Sequence, residues 1–76
     1  MPRYFFNIRH ERSGDDTEGE ELPDQNAAWR EATSMAAELL RDIDGKLRPG
    51  QDVQLVVTDE FRNRLYVIRI IAERCV

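Results

Sequence analysis

Residues 24–43, DQNAAWREATSMAAELLRDI, decide the fold of this chain, because they form one long amphipathic pattern between segments of strand character. Apolar side chains recur three and four residues apart, a spacing that places them on one stripe of an α-helix. The stripe consists of Ala28, Ala32, Met35, Ala36, Leu39 and Ile43. Trp29 and Leu40 extend it at one edge. The pattern predicts a helix of about 20 residues, or roughly 30 Å, that buries one face.

Both ends of this helix carry recognisable signals. Asp24 can accept hydrogen bonds from the free backbone N–H groups of the first turn. Gly45 is predicted to end the helix in a left-handed conformation. Lys46 and Arg48 then place positive charge near the negative end of the helix dipole.

Three other segments are rich in β-branched and aromatic residues and predict strands: residues 3–10, 53–58 and 64–71. Residues 17–22 could add a short, charged edge strand. The order strand, short strand, helix, strand, strand predicts one α+β domain over residues 1–76. We expect a mainly antiparallel sheet of three to four strands with the helix on one face, in the spatial order second, first, third, fourth strand.

A single helix covers only one face of a sheet, yet these strands carry apolar side chains on both faces. The set predicted under the helix is Tyr4, Phe6, Ile8, Leu55, Val57, Tyr66, Ile68 and Ile70. The set predicted on the opposite face is Phe5, Val56, Leu65, Val67 and Ile71. Exposed apolar groups that form one patch commonly mark an interface.

We therefore predict a protein-interaction module that self-associates through the uncovered face or through an exposed strand edge, most simply as a twofold dimer. The candidate contacts are Phe5, Val56, Leu65 and Val67. The alternative is a monomer in which these are ordinary half-buried side chains at the rim of the sheet.

Composition narrows the possible settings of the protein. The formal net charge of −4 favours solubility and works against non-specific binding to a phosphate backbone. A lone cysteine, Cys75, cannot form an intramolecular disulfide, which is typical of a reducing compartment. No apolar run approaches the roughly 18 residues of a membrane span. We expect a cytoplasmic protein that is not membrane-bound.

The side chains give little support to catalysis. His10 is the only histidine, so one copy of the chain cannot supply a two-histidine metal site or a catalytic triad with its own base. We interpret it as a solvated histidine at a strand end, although it could act as an acid or base beside Glu11. Cys75 has no Cys-x-x-Cys partner and is interpreted as an incidental thiol. We predict no catalytic residue, no cofactor and no small-molecule ligand.

Residues 15–21, DDTEGEE, form an acidic segment that invites comparison with a calcium-binding loop. The register fails, because starting the loop at Asp15 puts Thr17 and Gly19 where carboxylates belong. Starting one residue later puts Glu21 at the invariant glycine position. We expect a solvated loop and no metal site, with weak divalent binding as the alternative.

Nucleic acid is a further possibility that the sequence only weakly supports. Arginine, aromatic and amide side chains could line one sheet face: Arg3, Phe5, Asn7, Arg9 and Arg69. Single-stranded RNA can stack on such a surface. The acidic total charge and the single clear aromatic side chain on that face argue against it.

The opening Met1-Pro2-Arg3-Tyr4-Phe5-Phe6-Asn7-Ile8 resembles the start of a family of small, uncharacterised bacterial proteins. The likeness continues in Glu21-Leu22-Pro23-Asp24 and in Val57-Thr58-Asp59-Glu60. This resemblance implies a single domain of unknown function and brings no activity with it. Relatives often carry histidine at the position of Asn7, so a role of that imidazole does not transfer to this chain.

The strand and Leu-Pro arrangement ahead of the helix is also similar to HicB-type antitoxin domains, which sequester a small toxic ribonuclease and often add a DNA-binding segment. This looser likeness implies an alternative function, a regulatory domain that binds a toxin or nucleic acid. Because the sequence ends at Val76, we expect no room for that DNA-binding segment, which weakens the comparison.

Overall fold

A computed structural model describes residues 1–10, 13–43 and 46–75 of the chain. Six elements follow one another along it: β1 (Arg3–Arg9), β2 (Ser13–Gly14), β3 (Glu20–Glu21), α1 (Gln25–Asp42), β4 (Asp52–Asp59) and β5 (Arg64–Ile71). All strand pairs are antiparallel.

The two short strands occupy one position beside β1. β2 pairs with Ile8 and Arg9, and β3 pairs with Arg3 and Tyr4. The order across the sheet is therefore the short edge, then β1, β4 and β5. This confirms the predicted α+β class and the predicted spatial order. The short edge strand expected over residues 17–22 is limited to Glu20–Glu21.

The core lies between α1 and one face of the sheet, the helix-covered face. Its buried cluster consists of Tyr4, Phe6, Ala28, Ala32, Leu55 and Val57. Alternation along β1 and β4 sends every second side chain to this face, and the register sets Phe6 opposite Val57. Fully buried alanines on α1 let the helix approach the sheet closely, while Trp29 and Leu40 remain 43% and 53% exposed.

The helix begins as predicted. Asp24 has an extended backbone, and its Oδ1 accepts the Ala27 N–H at 2.8 Å. α1 ends at Asp42 after 18 residues, slightly before the predicted end, and the Ile43 N–H donates to the Leu39 carbonyl oxygen. The predicted stop at Gly45 lies outside the described residues.

One prediction for β5 is wrong. Leu65 was expected on the face opposite the helix, but it packs against the buried core cluster. The cause is a bulge: Val57 pairs with Tyr66, whereas Thr58 pairs with Arg64, so Leu65 has no partner across the ladder. An extra residue of this kind breaks the strict alternation of side chains that the prediction assumed.

Candidate functional site

The far face of the sheet, opposite α1, does not gather the four predicted contact residues into one surface. Leu65 packs on the helix-covered side, and Val56 is only 3% exposed between its cross-strand neighbours Asn7 and Val67. Phe5 is half-buried beneath the acidic segment, and Val67 is 42% exposed. Contact of any of these residues with a partner stays a prediction.

The acidic segment lies over the β1 end of the far face, and the arginines of β1 bind it. Arg3 donates through Nη1 to the Glu18 carbonyl oxygen at 2.7 Å, and through Nη2 to the Glu21 carboxylate at 3.1 Å. Arg9 Nη1 lies 2.6 Å from Asp15 Oδ1. The guanidinium groups of Arg3 and Arg9 therefore already contact acidic partners of this chain, and Arg69 Nε, the third candidate for RNA phosphates, lies 4.0 Å from Asp52 Oδ2.

Asp16 holds the acidic segment against β1. Its carboxylate accepts three backbone N–H groups: Phe6 at 3.2 Å, Glu18 at 3.1 Å and Gly19 at 3.0 Å. Partial burial acts to raise the pKa of Asp16, but these donors outweigh it and hold that pKa below its usual value. The ionised carboxylate therefore serves as a structural acceptor.

Asn7 connects this segment to the middle of the sheet. The side chain is buried, its Nδ2 donates to the Val56 carbonyl oxygen at 3.3 Å, and its Oδ1 accepts the Asp16 N–H at 3.0 Å. The strand pattern predicts Asn7 on the far face but does not predict its place in a buried network. The available signal for this network was an amide side chain among the aromatic residues of a strand. If such a side chain is buried, it needs hydrogen-bond partners.

A groove of about 650 Å³ crosses the far face between the acidic segment and the β4–β5 hairpin. It is lined by Phe5, Asn7, Arg9, Asp15, Asp16, Thr17, Thr58, Asp59, Glu60 and Arg62. Its volume suits a small molecule. Most of its charged groups, however, already bind other groups of this chain, so the lining gives no clear ligand chemistry.

The hairpin wall of the groove is organised by Asp59. Its carboxylate accepts the Asn63 side-chain amide at 2.9 Å, the Asn63 N–H at 2.9 Å and the Phe61 N–H at 2.8 Å. The Asn63 side chain contributes most to lowering the pKa of Asp59. Phe61 remains 77% exposed at the tip, and Arg62 has a positive φ of 67°.

The outer edge of β5 is the second candidate surface. Within the described residues, β5 pairs with β4 on one side and with no strand on the other. The Ala72 N–H donates to the Gln51 carbonyl oxygen and its own carbonyl accepts the Gly50 N–H, so Ala72 faces inward. Antiparallel ladders alternate, so the backbone groups of Val67, Arg69 and Ile71 point outward.

Apolar side chains flank this edge on both faces. Among the described residues, the large apolar side chains with high exposure are Met1, Trp29, Leu40, Phe61, Val67 and Ile71. Val67 and Ile71 belong to β5 itself. Trp29 packs on Tyr66 of β5 with ring centroids 5.1 Å apart, and Tyr66 Oη donates to the Gln25 carbonyl oxygen at 3.4 Å.

Two sequence candidates remain, His10 and Cys75. His10 follows β1, and its Nδ1 lies 3.5 Å from the Asp52 carbonyl oxygen. Cys75 is an exposed free thiol. In the described part of the chain, no group of three or more His, Cys, Asp or Glu side chains could hold a metal ion. None of the helices described is long and apolar enough to cross a membrane.

Comparison with known proteins gives one match. A family model described as a domain of unknown function, DUF6894, matches residues 3–72. No curated protein and no solved structure matches the chain.

Proposed function

The chain belongs to the DUF6894 family, whose function is unassigned, and we propose that it is a non-enzymatic protein-interaction module that self-associates through the outer edge of β5. The simplest assembly is a twofold dimer in which two sheets become continuous. We place this module in the bacterial cytoplasm, in line with its single cysteine and the resemblance of its opening residues.

One observation carries this proposal: β5 is an edge strand of the sheet, and no described strand pairs with its outward-facing backbone groups. A row of N–H and C=O groups on an edge is a template for pairing with another chain. The opposite edge differs, because β2, β3 and the Asp16 carboxylate meet the backbone of β1 there. Pairing through β5 is therefore the favoured route to a larger sheet.

The side chains around the edge support the same route. Trp29 and Tyr66 lie on the helix-covered side of β5, and Val67 and Ile71 lie on its far side. Apolar groups on both sides of a strand edge would be covered together when a second strand pairs there. Stacking of two far faces has less support, because Val56 and Leu65 are sheltered within their own subunit.

The HicB-like regulatory function remains the runner-up. Binding of nucleic acid through the far face has little support, because Arg3 and Arg9 already contact Glu21 and Asp15. Binding of a toxin protein would use the same exposed strand edge. Filter binding with single-stranded RNA and DNA at low salt checks the nucleic-acid form of this hypothesis. Retention of either nucleic acid on the filter would support this alternative over self-association through β5.

Substitution of one outward-facing residue tests the proposal directly. Arg69→Pro removes an outward N–H at an edge position, where proline is tolerated, whereas Arg69→Ala keeps that donor. We expect the wild type and Arg69→Ala to sediment as dimers and Arg69→Pro as a monomer with unchanged circular dichroism. Loss of the exposed Arg69–Asp52 contact, at 4.0 Å, affects both variants equally.

Two results would contradict the proposal. One is a monomer mass for the wild type over the whole accessible concentration range. The other is equal dimerisation of the folded proline and alanine variants, because a ladder along this edge needs the N–H that proline lacks.

A further inference from the structure

The geometry points to a specific partner and register at this edge, an inference that rests on the proposed function. We propose that the partner is a second copy of this chain and that two β5 strands pair antiparallel, centred on Ile68. Ile68 then lies opposite Ile68 of the second copy, and Tyr66 lies opposite Ile70.

Backbone direction limits the possible registers. The backbone N–H and C=O groups of Val67, Arg69 and Ile71 point away from β4. For hydrogen bonds to form between two β5 strands, these residues of one copy must lie opposite the same set in the other copy. A twofold axis can then pass through Val67, Ile68, Arg69, Ile70 or Ile71. In every other register, a residue whose backbone groups point away from β4 lies opposite a residue whose groups point toward β4. No ladder of hydrogen bonds can then form.

The length of the regular strand removes three of these centres. The bulge at Leu65 ends the regular part of β5 on one side, and the strand ends at Ile71 on the other. A centre at Val67 brings the bulge near the middle of the ladder, because Leu65 would lie opposite Arg69. A centre at Ile68 meets the bulge only at the last rung, where Leu65 would lie opposite Ile71. A centre at Ile70 or Ile71 leaves much of the strand opposite residues beyond its end. Centres at Ile68 and Arg69 keep most of the regular segment paired.

The charge of Arg69 distinguishes the two remaining centres, Ile68 and Arg69. A centre at Arg69 sets two guanidinium groups directly opposite each other, and like charges at such positions destabilise a sheet. A centre at Ile68 moves each Arg69 opposite Val67 of the other copy, where its aliphatic stem can pack. The helix-covered side then holds an Ile68 pair flanked by two Tyr66–Ile70 pairs, next to the Trp29–Tyr66 ring contact.

The rate of disulfide formation between introduced cysteines tests the register of the two β5 strands. In a Cys75→Ser background, which removes the exposed native thiol, Ile68→Cys sets two sulfurs on directly opposed residues. A non-hydrogen-bonded pair has its Cα atoms about 4.5 Å apart, within the range that a disulfide spans. Ile70→Cys is the matched control, because its two copies lie four residues apart along the strand, roughly 13 Å.

We expect Ile68→Cys to form covalent dimer several-fold faster than Ile70→Cys or Arg69→Cys under mild oxidation. Charge substitution at exposed Val67 provides a second readout that leaves the core untouched. Val67→Arg lies opposite Arg69 and should weaken dimerisation, whereas Val67→Glu meets the same guanidinium and should retain it.

The outcomes separate the register from the proposed function. A dimer that cross-links fastest through Arg69→Cys or Ile70→Cys, or that loses affinity equally with Val67→Arg and Val67→Glu, overturns the centre at Ile68 but keeps association through β5. A wild type that stays monomeric overturns both. A dimer that cross-links at none of the three positions overturns β5 as the contact.

Discussion

The Oδ2 atom of Asp16 lies 3.2 Å from the backbone nitrogen of Phe6, so a loop carboxylate takes the place that a neighbouring strand's carbonyl would have on β1. The two short strands cover the ends of this edge, and Asp16 covers a point between them. The β1 edge of the sheet is thus covered by β2, β3 and Asp16 of the same chain. The asymmetry between the β1 edge and the β5 edge underlies the proposed direction of self-association.

Replacing Asp16 with alanine should destabilise the fold. The change removes the acceptor of the Phe6, Glu18 and Gly19 N–H groups. The Phe6 and Gly19 bonds are part-buried, and a buried donor left without a partner costs roughly 1–3 kcal/mol. Asp15→Ala is the matched control, because its exposed contact with Arg9 contributes less than roughly 1 kcal/mol. Urea unfolding measures both, and equal losses would show that Asp16 has no special role.

Acid should weaken the fold through the same carboxylate. A lowered pKa in the folded state means that Asp16 stabilises the protein above the ordinary aspartate value of 3.8, and that this contribution disappears as pH falls through the lowered pKa. The free energy of unfolding should therefore drop on the acid side of 3.8, and Asp16→Asn should show a shallower drop. Denaturant titrations at several acidic pH values test this, and identical slopes would contradict it.

Gly19 should tolerate substitution worse than Gly50, although both have positive φ. A Cβ on Gly19 would lie 2.9 Å from the Arg3 Cγ, the Phe5 Cε1 and the Tyr4 carbonyl oxygen, whereas one on Gly50 meets nothing within 4 Å. Gly50→Ala should cost about 1–2 kcal/mol for the left-handed backbone alone. Gly19→Ala should cost a further 1–3 kcal/mol or so for overpacking. Thermal unfolding of the two variants checks the order.

The sequence was sufficient for the fold because its signals are local and repeated. The apolar spacing of α1, the cap at Asp24 and the strand patterns each predict one element, and together they leave few arrangements for four strands and one helix. Alternation also placed Tyr4, Phe6, Leu55 and Val57 on the helix-covered face.

The candidate surfaces were less predictable because they depend on contacts between distant residues. Burial of Asn7 depends on where Asp16 lies, nine residues away and outside any regular element. Burial of Val56 depends on its neighbours in two other strands. The bulge at Leu65 has no signature in the alternation of β5. A period-two pattern cannot show any of these three features.

Leu65 and Val67 should therefore respond differently to truncation, although the pattern alone treats them alike. Leu65 packs against the core cluster while Val67 is 42% exposed. Leu65→Ala should lower the free energy of unfolding by about 1–2 kcal/mol, less than for a fully buried leucine, at every protein concentration. Val67→Ala should change it by at most about 0.5 kcal/mol in dilute samples, with a larger effect only where self-association adds stability. Denaturant unfolding over a concentration series measures both, and an equal, concentration-independent loss for the two variants would contradict the different placement of these side chains.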